Sequence, residues 1–204
     1  MFVIRTNRIN SAKASITIYH ENDSIYNPVL TMKYTDEKKE LTLTRDERIT
    51  MISPWFDSWH QIEIYCESLT WKLNEPRMNF EMMKGPNQEG KAVFESANYF
   101  ALQRYDKLQG IDEFNPLYIL RKYSEKYKTR DFTLDKIVTF MERPPEQVEA
   151  QLLTLAYKGF LIYDPDDKTG RIKEKLINHV KARDEKIDYD VIFFNSTVTA
   201  KSNG

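Results

Sequence analysis

Glycine is scarce in this sequence, with only six among 204 residues, and they are spread singly along the chain. Phosphate-binding glycine loops, nucleotide folds of the dehydrogenase type and nucleophile elbows all need glycines clustered at close, fixed spacing. The sequence therefore excludes these three kinds of site, and with them the most common nucleotide-binding and acyl-transfer enzymes.

Cysteine and long apolar runs are also lacking. Cys66 is the only cysteine, so no internal disulfide can form. No uninterrupted apolar run approaches the roughly 18 residues that span a bilayer. Phe2-Val3-Ile4 is followed at once by Arg5 and Arg8, so we expect no signal peptide in this segment. These absences predict no membrane span and leave the compartment open.

Charge of one sign is not in excess. Thirty basic and 31 acidic residues give a formal net charge of −1, and apolar residues make up 41% of the chain. This is the composition of an ordinary globular protein. A near-neutral chain exerts no long-range attraction on nucleic acid, so a polyanionic partner would have to bind a local basic patch.

The first ninety-five residues alternate apolar and polar positions in several short segments. The period of two predicts strands over 14–19, 29–34 and 40–45, with turns at 21–24, 27–28 and 35–38. A longer candidate strand, 61–73, changes phase near Glu67-Ser68, which predicts either a β-bulge or a strand that switches the face it buries. Further strands are predicted over 78–82 and 91–95. Together they predict an antiparallel sheet domain over 1–95, arranged as a meander or a sandwich.

Helical spacing replaces this alternation from Ser96 onward. We predict helices over 98–109, 115–128 with Asn115 as N-cap, 133–143, 144–159 and 174–186. Phe160-Leu161-Ile162-Tyr163 predicts a strand, residues 164–170 a tight turn, and Arg171-Ile172-Lys173 the start of either a return strand or a final helix. Residues 189–194 predict one more strand.

Residues 115–175 resemble a winged-helix domain. The stretch Phe132-Thr133-Leu134-Asp135-Lys136-Ile137-Val138 resembles the second helix of that family, and residues 146–161 resemble the third helix running into the wing. Gly159 suits the sharp turn from helix to strand. The resemblance implies a helical winged-helix domain within 96–187, and together with the β-rich part predicted over 1–95 it gives an α+β fold class. This fold serves both DNA binding and protein docking.

The charges of the third helix and the wing favour protein docking. A helix that reads DNA presents basic and amide side chains to the major groove. Here Glu146 and Glu149 face outward, and the wing turn carries three aspartates, Asp164, Asp166 and Asp167. The candidate interaction surface is Gln147, Gln151, Thr154, Lys158, Lys168 and Arg171. A winged-helix nucleic-acid-binding protein, similar to a transcriptional regulator, is the alternative.

Other motifs point to no catalytic, cofactor or metal site. His20, His60 and His179 have no ligand spacing to one another or to Cys66. Asp164-x-Asp166-x-Lys168 lacks the later ligands of a calcium loop. The basic residues of the first winged-helix segment are interpreted as a solvated face: Arg121, Lys122, Lys126, Lys128 and Arg130. Trp55, Phe56 and Trp59 form an aromatic loop that either lines a groove or plugs the end of a sheet.

A second resemblance covers the strand segments, residues 55–59 and residues 188–197. These are similar to an interior piece of very large uncharacterised proteins of Bacteroidetes-type bacteria, which implies an excised fragment. Val198–Lys201 predicts a strand, so we expect residues 188–204 to complete the sheet of 1–95, with 96–187 inserted or capping it. The leading prediction is a non-enzymatic structural and protein-interaction segment of a larger multidomain bacterial protein. Its partners would be other domains of the same chain or another subunit.

Overall fold

The computed structural model describes residues 2–45, 53–82, 92–109 and 115–195. Within these residues the chain divides into two units. The first contains residues 2–45, 54–82, 92–95 and 193–195, and the second contains residue 53 and residues 96–109 and 115–192.

The elements follow one another in a strand-rich first part and a mostly helical second part. The strands of the first part are β1 Phe2–Arg5, β2 Arg8–His20, β3 Asp23–Thr35, β4 Glu40–Thr44, β5 Trp55–Asp57, β6 Ile62–Tyr65, β7 Ser68–Lys72, β8 Met78–Glu81 and β9 Val93–Ser96. The later elements are α1 Leu102–Gln109, α2 Pro116–Tyr127, β10 Asp131–Thr133, α3 Leu134–Met141, α4 Pro145–Tyr157, β11 Leu161–Asp164, β12 Thr169–Ile172, α5 Glu174–Arg183 and β13 Phe193–Asn195.

The predicted fold class is wrong. Among the residues that the structure describes, 41% are in strands and 30% in helices, so this part of the chain is strand-rich. Its large sheet is neither a meander nor a sandwich. It is one curled antiparallel sheet, a half-barrel, in the order β13-β9-β6-β5-β3-β4-β7-β8, with β2 and then β1 beyond the other edge of β3. The second part carries a sheet of its own, in the order β10-β12-β11.

Strand β3 explains why the sheet curls instead of forming a flat meander. Along one edge it pairs with β2 over almost its whole length. Along the other edge Thr31–Thr35 pair with β4, whereas Ile25 and Tyr26 pair with β5. One long strand therefore belongs to two branches of the sheet. Alternation along a sequence shows which face a residue occupies but not which strands pair, so it could not reveal this branching.

Asn27 and Pro28 lie inside β3, where the sequence predicted a turn. The pairing with β2 shifts register between Ala14 and Ile16, opposite Leu30 and Asn27, which marks a β-bulge. Asn27 is buried, and its Oδ1 accepts a hydrogen bond from the Val29 amide at 3.0 Å. Neither β4 nor β5 pairs with residues 27–30. Proline is tolerated there because no carbonyl of β4 or β5 needs the N–H that it lacks. The bulge bends the strand and strengthens its twist.

The half-barrel has a small, tightly packed core. Its fully buried side chains come from β3, β4, β5, β6 and β7 and from the segments beside them: Leu30, Leu43, Trp55, Ile64, Cys66, Leu69 and Ala92. Burial raises the pKa of the Cys66 thiol to about 12, because the apolar surroundings disfavour the thiolate. The predicted 61–73 strand is divided into β6 and β7 by Cys66 and Glu67.

The second unit packs its helices and its three-stranded sheet around a separate core. Leu117 and Leu120 of α2, Ile137 of α3, Val148 of α4 and Leu176 of α5 are fully buried. Asn115 caps α2 as predicted: its Oδ1 accepts from the Leu117 amide at 3.0 Å. Thr133 makes no side-chain cap and instead ends β10, a strand that the sequence did not predict.

The C-terminal described segment is mostly not a strand. The sequence predicted a strand over 189–194, but the observed strand β13 contains only Phe193–Asn195. Strand β13 pairs antiparallel with β9. The rings of Phe94 and Phe194 stack there with centroids 4.8 Å apart. The predicted strand at Val198–Lys201 and the predicted loop at 85–90 lie outside the described residues. Among the described helices, none is both long enough and apolar enough to cross a bilayer.

Candidate interaction surfaces

Helix α4 is anchored by one face and exposes the other. Pro145 stands in its first turn, where the missing N–H leaves no bond unmade. Four apolar side chains, Val148, Leu152, Leu155 and Ala156, are buried. Gly159 then adopts φ 77°, and the Phe160 amide bonds back to the Leu155 carbonyl at 3.0 Å. This left-handed turn directs the chain into β11, so the β11–β12 hairpin lies beside the helix.

The predicted interaction residues occupy this helix and this hairpin. Gln147, Thr154 and Lys158 are exposed on α4, and Gln151 is half-buried. The Thr154 hydroxyl donates to the Ala150 carbonyl at 2.9 Å. The stripe formed by Gln147, Ala150, Gln151 and Thr154 carries no charge. Its side chains offer amide and methyl groups to a partner.

Lys168 does not project freely from the hairpin. Its ammonium lies 3.3 Å from Oε2 and 3.4 Å from Oε1 of Glu149 on α4. The Tyr163 hydroxyl donates to the same carboxylate at 2.9 Å. Burial, followed by this hydrogen bond, raises the pKa of Tyr163. Glu149 thus joins the helix to the hairpin, and it neutralises the cation at the hairpin tip.

Arg171 is paired in the same way, on the outer face of the small sheet. Its guanidinium lies 3.1 Å from Oδ1 of Asp131, the residue opposite it on β10. The hairpin turn itself is held by Asp164, whose Oδ1 accepts from the amides of Asp166 and Asp167 at 3.0 and 3.4 Å. Two of the three basic residues of the predicted surface, Lys168 and Arg171, therefore already face carboxylates.

An open cleft of about 550 Å³ lies on this outer face, and its walls come from all three strands of the small sheet and from α3. Asp131, Lys136, Asp164 and Arg171 provide charges of both signs, and Ile162 provides an apolar floor. The cleft has the mixed polarity of an interface rim and lacks the convergent polar groups of a small-molecule site.

Most of the basic residues of α2 and its exit make contacts within the protein. Arg121 binds Glu125 at 2.7 Å and Asp184 at 3.2 Å, which raises the pKa of its guanidinium. Arg130 forms an ion pair with Glu174. The ammonium of Lys126 lies over the ring of Tyr127, with 5.2 Å to the centroid. These contacts describe a solvated helix face held by local pairs, not a continuous positive stripe.

The aromatic loop is divided between the core and the surface. Trp55 lies in β5 with 1% of its surface exposed, and Phe56 beside it is half-buried. Trp59, in the turn between β5 and β6, is 59% exposed. Its ring lies between two imidazoles: the centroids are 6.4 Å from His20 and 6.5 Å from His60.

Asp57 organises the turn that carries Trp59. Its Oδ1 accepts from the amides of Trp59 and His60 at 2.9 and 3.4 Å, and its Oδ2 lies 2.7 Å from Nδ1 of His60. Ser58 donates to Asp23 at 2.7 Å and accepts from the Ser24 amide at 2.9 Å, which joins this turn to the one between β2 and β3. The spacing Asp-x-x-His within the aromatic loop was the available signal, and sequence reasoning missed it.

His179 is an unexpected buried polar residue. It is 6% exposed and lies among the rings of Phe100, Tyr105 and Phe160, with centroids 4.8, 6.0 and 4.9 Å away. Its Nε2 has no hydrogen-bond partner in the structure. Burial, and to a lesser extent the charge of Lys175, lowers the pKa of His179 to about 4. Among the described residues, no group of three or more His, Cys, Asp or Glu side chains is placed to hold a metal ion.

Comparisons with known proteins identify no relative. No protein family, no curated protein and no solved structure matches the chain. The resemblances to winged-helix domains and to large Bacteroidetes-type proteins therefore stay predictions, and the argument for function rests on the surfaces described above.

Proposed function

We propose that this chain is a non-enzymatic protein-interaction segment of a larger multidomain bacterial protein. Its contact surface is the outer face of α4 together with the β11–β12 hairpin. The partner is a protein surface, either on another domain of the same polypeptide or on another subunit. The two resemblances noted above support this proposal, as does the chemistry of the surface itself.

The single observation that carries the proposal is the pairing of two of the surface's three cations with carboxylates. Lys168 faces Glu149, and Arg171 faces Asp131. Phosphate contacts supply most of the affinity of a DNA-binding protein, and such contacts need unpaired cations. To bind phosphate here, these two residues would first have to give up their carboxylates.

The uncharged stripe of α4 fits a protein partner better. Interface cores are depleted of charged side chains and enriched in aromatic ones. Gln147, Ala150, Gln151 and Thr154 are uncharged, and Tyr157 at the end of the helix is 51% exposed. The paired ions of the hairpin then suit the polar rim of such an interface.

Photo-crosslinking in the native host tests the kind of partner. A photoreactive phenylalanine analogue replaces Gln147 in the full-length gene product, and Lys38, an exposed residue between β3 and β4, carries it in the control. We expect position 147 to crosslink one defined peptide and position 38 not to do so. Adducts at position 147 that disappear on nuclease treatment would overturn the proposal. So would a native gene product no longer than this chain that yields no protein adduct.

Binding to random duplex DNA is the second test. We expect no shift in mobility at low salt. A clear shift that weakens as salt is added would show counterion release, and it would favour the winged-helix nucleic-acid-binding alternative.

A further inference from the structure

Two neighbouring turns present a row of three exposed rings at one end of the half-barrel. The β2–β3 turn carries His20, and the β5–β6 turn carries Trp59 and His60. The turns are joined by the Ser58 amide, which donates to the Ser24 carbonyl at 3.0 Å. All three rings are exposed to solvent. We call this row the ring platform: His20, Trp59 and His60.

The ring platform is rigidly supported from below. Asp57 is 7% exposed and binds two backbone amides and the His60 imidazole. Gln61 adopts φ 52°, and its side-chain amide donates to the Ser58 carbonyl at 2.7 Å. The backbone that carries Trp59 is therefore fixed by hydrogen bonds before a ligand arrives, which reduces the entropy lost on binding.

Trp59 is not needed in the core of its own unit. Trp55 fills that core at 1% exposure, whereas more than half of the Trp59 side chain contacts water. A large aromatic ring that is exposed to solvent lacks the stabilisation of apolar burial, and a ligand that covered the ring would supply it. This argues against the interpretation of the loop as a plug for the end of the sheet.

The surroundings of the platform narrow the class of ligand. The segments 14–26 and 53–65, which build the two turns and their strands, contain no Lys or Arg and contribute four carboxylates, from Glu21, Asp23, Asp57 and Glu63. Stacked nucleic-acid bases would bring phosphates to segments that supply no lysine or arginine to receive them. A stable protein interface needs about 800 Å² on each partner, which is much more than two turn tips offer.

We propose that the ring platform is a carbohydrate-binding site for a chain of pyranose rings with equatorial hydroxyl groups. Such a ring presents a continuous face of C–H groups that stacks on the flat indole of Trp59, and a rim of hydroxyls that needs donors and acceptors. His60 supplies one of them. Its Nδ1 is held by Asp57, so Nε2, on the opposite edge of a largely exposed imidazole, points away from the turn. The exposed Asn22 and Gln61 lie in the same two turns.

Calorimetric titration with cellohexaose tests this site, because its β-1,4-linked glucose units have all hydroxyls equatorial. We expect saturable binding that weakens about tenfold or more in Trp59→Ala, since the stacked contact and its apolar burial are both lost. Trp59→Tyr, which retains a flat ring, should keep most of the affinity. Tyr157→Ala is the matched control, because it removes an equally exposed ring from the other unit.

Mannohexaose provides the stereochemical control, since its axial 2-hydroxyl interrupts the C–H face, and we expect it to bind more weakly than cellohexaose. Equal or stronger binding of mannohexaose would overturn the proposal. So would the absence of saturable binding of cellohexaose, or an unchanged affinity in Trp59→Ala. Thermal unfolding of each variant, measured in parallel, should show the wild-type midpoint because Trp59 lies outside the core. The site is independent of the α4 surface, so either proposal can fail without the other.

Discussion

The carboxylate of Glu149 accepts a hydrogen bond of 2.9 Å from the Tyr163 hydroxyl, and it also lies 3.3 Å from the ammonium of Lys168. One side chain of α4 thereby holds both the strand β11 and the tip of the hairpin that follows it. Tyr163 is 1% exposed, and Lys168 is largely exposed. The two contacts should therefore contribute unequally to stability.

Replacing Glu149 separates these two contributions. Glu149→Gln removes the ion pair but leaves an oxygen for the Tyr163 hydroxyl, so we expect a loss of less than about 1 kcal/mol in the free energy of unfolding. Glu149→Ala also leaves the buried hydroxyl without an acceptor, at a cost of about 1–3 kcal/mol. Urea unfolding of both variants measures the difference. Gln147→Ala, an exposed position of the same helix, should stay within about 0.5 kcal/mol of wild type. Equal losses in Gln and Ala variants would contradict this account.

His179 makes the second unit sensitive to acid. Burial holds the pKa of His179 at about 4 in the folded protein, against 6.5 for an unperturbed imidazole. Between these values the unfolded chain binds a proton that the folded chain does not, so stability falls as the pH drops from about 6.5 to about 4. Above pH 6.5 this group has no effect. At about 1.36 kcal/mol per pKa unit, the full loss approaches about 3 kcal/mol.

The variant His179→Phe should remove that part of the pH dependence. A phenyl ring fits among the three neighbouring rings and does not titrate, so the slope of unfolding free energy between pH 4 and 6.5 should become shallower than in wild type. His20→Asn, which removes an exposed imidazole, is the control and should keep the wild-type slope. Both are measured by urea unfolding at a series of pH values. Identical slopes for wild type and His179→Phe would show that other groups govern the acid response.

Local patterns in the sequence were sufficient for much of the secondary structure. Helical spacing located α2, α4 and α5, and Asn115 was identified as a cap because its oxygen meets an unpaired amide of the first turn. Period-two alternation located β4 and β8. Each of these features depends on residues that are close together in the sequence, which is why the sequence alone predicts it.

Non-local pairing was beyond such patterns. Asn27-Pro28 has the composition of a turn, yet it forms a bulge, because β2 pairs with β3 on both sides of it. Strand β10 has three residues, too few to show a period, and it forms only because β12 lies beside it. The candidate sites share this dependence. Glu149 and Lys168 are 19 residues apart, and Ser58 and Asp23 are 35 apart. Alternation along the chain could not bring either pair together.

Gly170 is a position where the small sheet tolerates no side chain. A Cβ there would lie 2.6 Å from the Ile162 carbonyl oxygen and would overlap the ring of Phe132. Since β12 is the central strand, the backbone cannot move away without breaking pairs on both sides. We expect Gly170→Ala to destabilise the protein by about 1–3 kcal/mol in urea unfolding. Phe132→Leu in the same chain should recover only part of this loss, because the carbonyl clash remains. Full recovery would show that the ring is the sole obstacle.

Asp57 should determine the rigidity of the ring platform. Its nearly buried carboxylate accepts hydrogen bonds from the Trp59 and His60 amides. In Asp57→Ala these two amides lose their acceptor and can bind only water. We expect the amides of residues 59 and 60 to lose protection against hydrogen exchange, whereas amides in the α4 helix should not change. Asp57→Asn keeps one acceptor oxygen and should retain part of that protection. If Trp59 meets its ligand in a preset orientation, Asp57→Ala should also weaken cellohexaose binding although it leaves the indole intact. Unchanged exchange at both amides in Asp57→Ala would show that the turn is held by Ser58 and Gln61 alone.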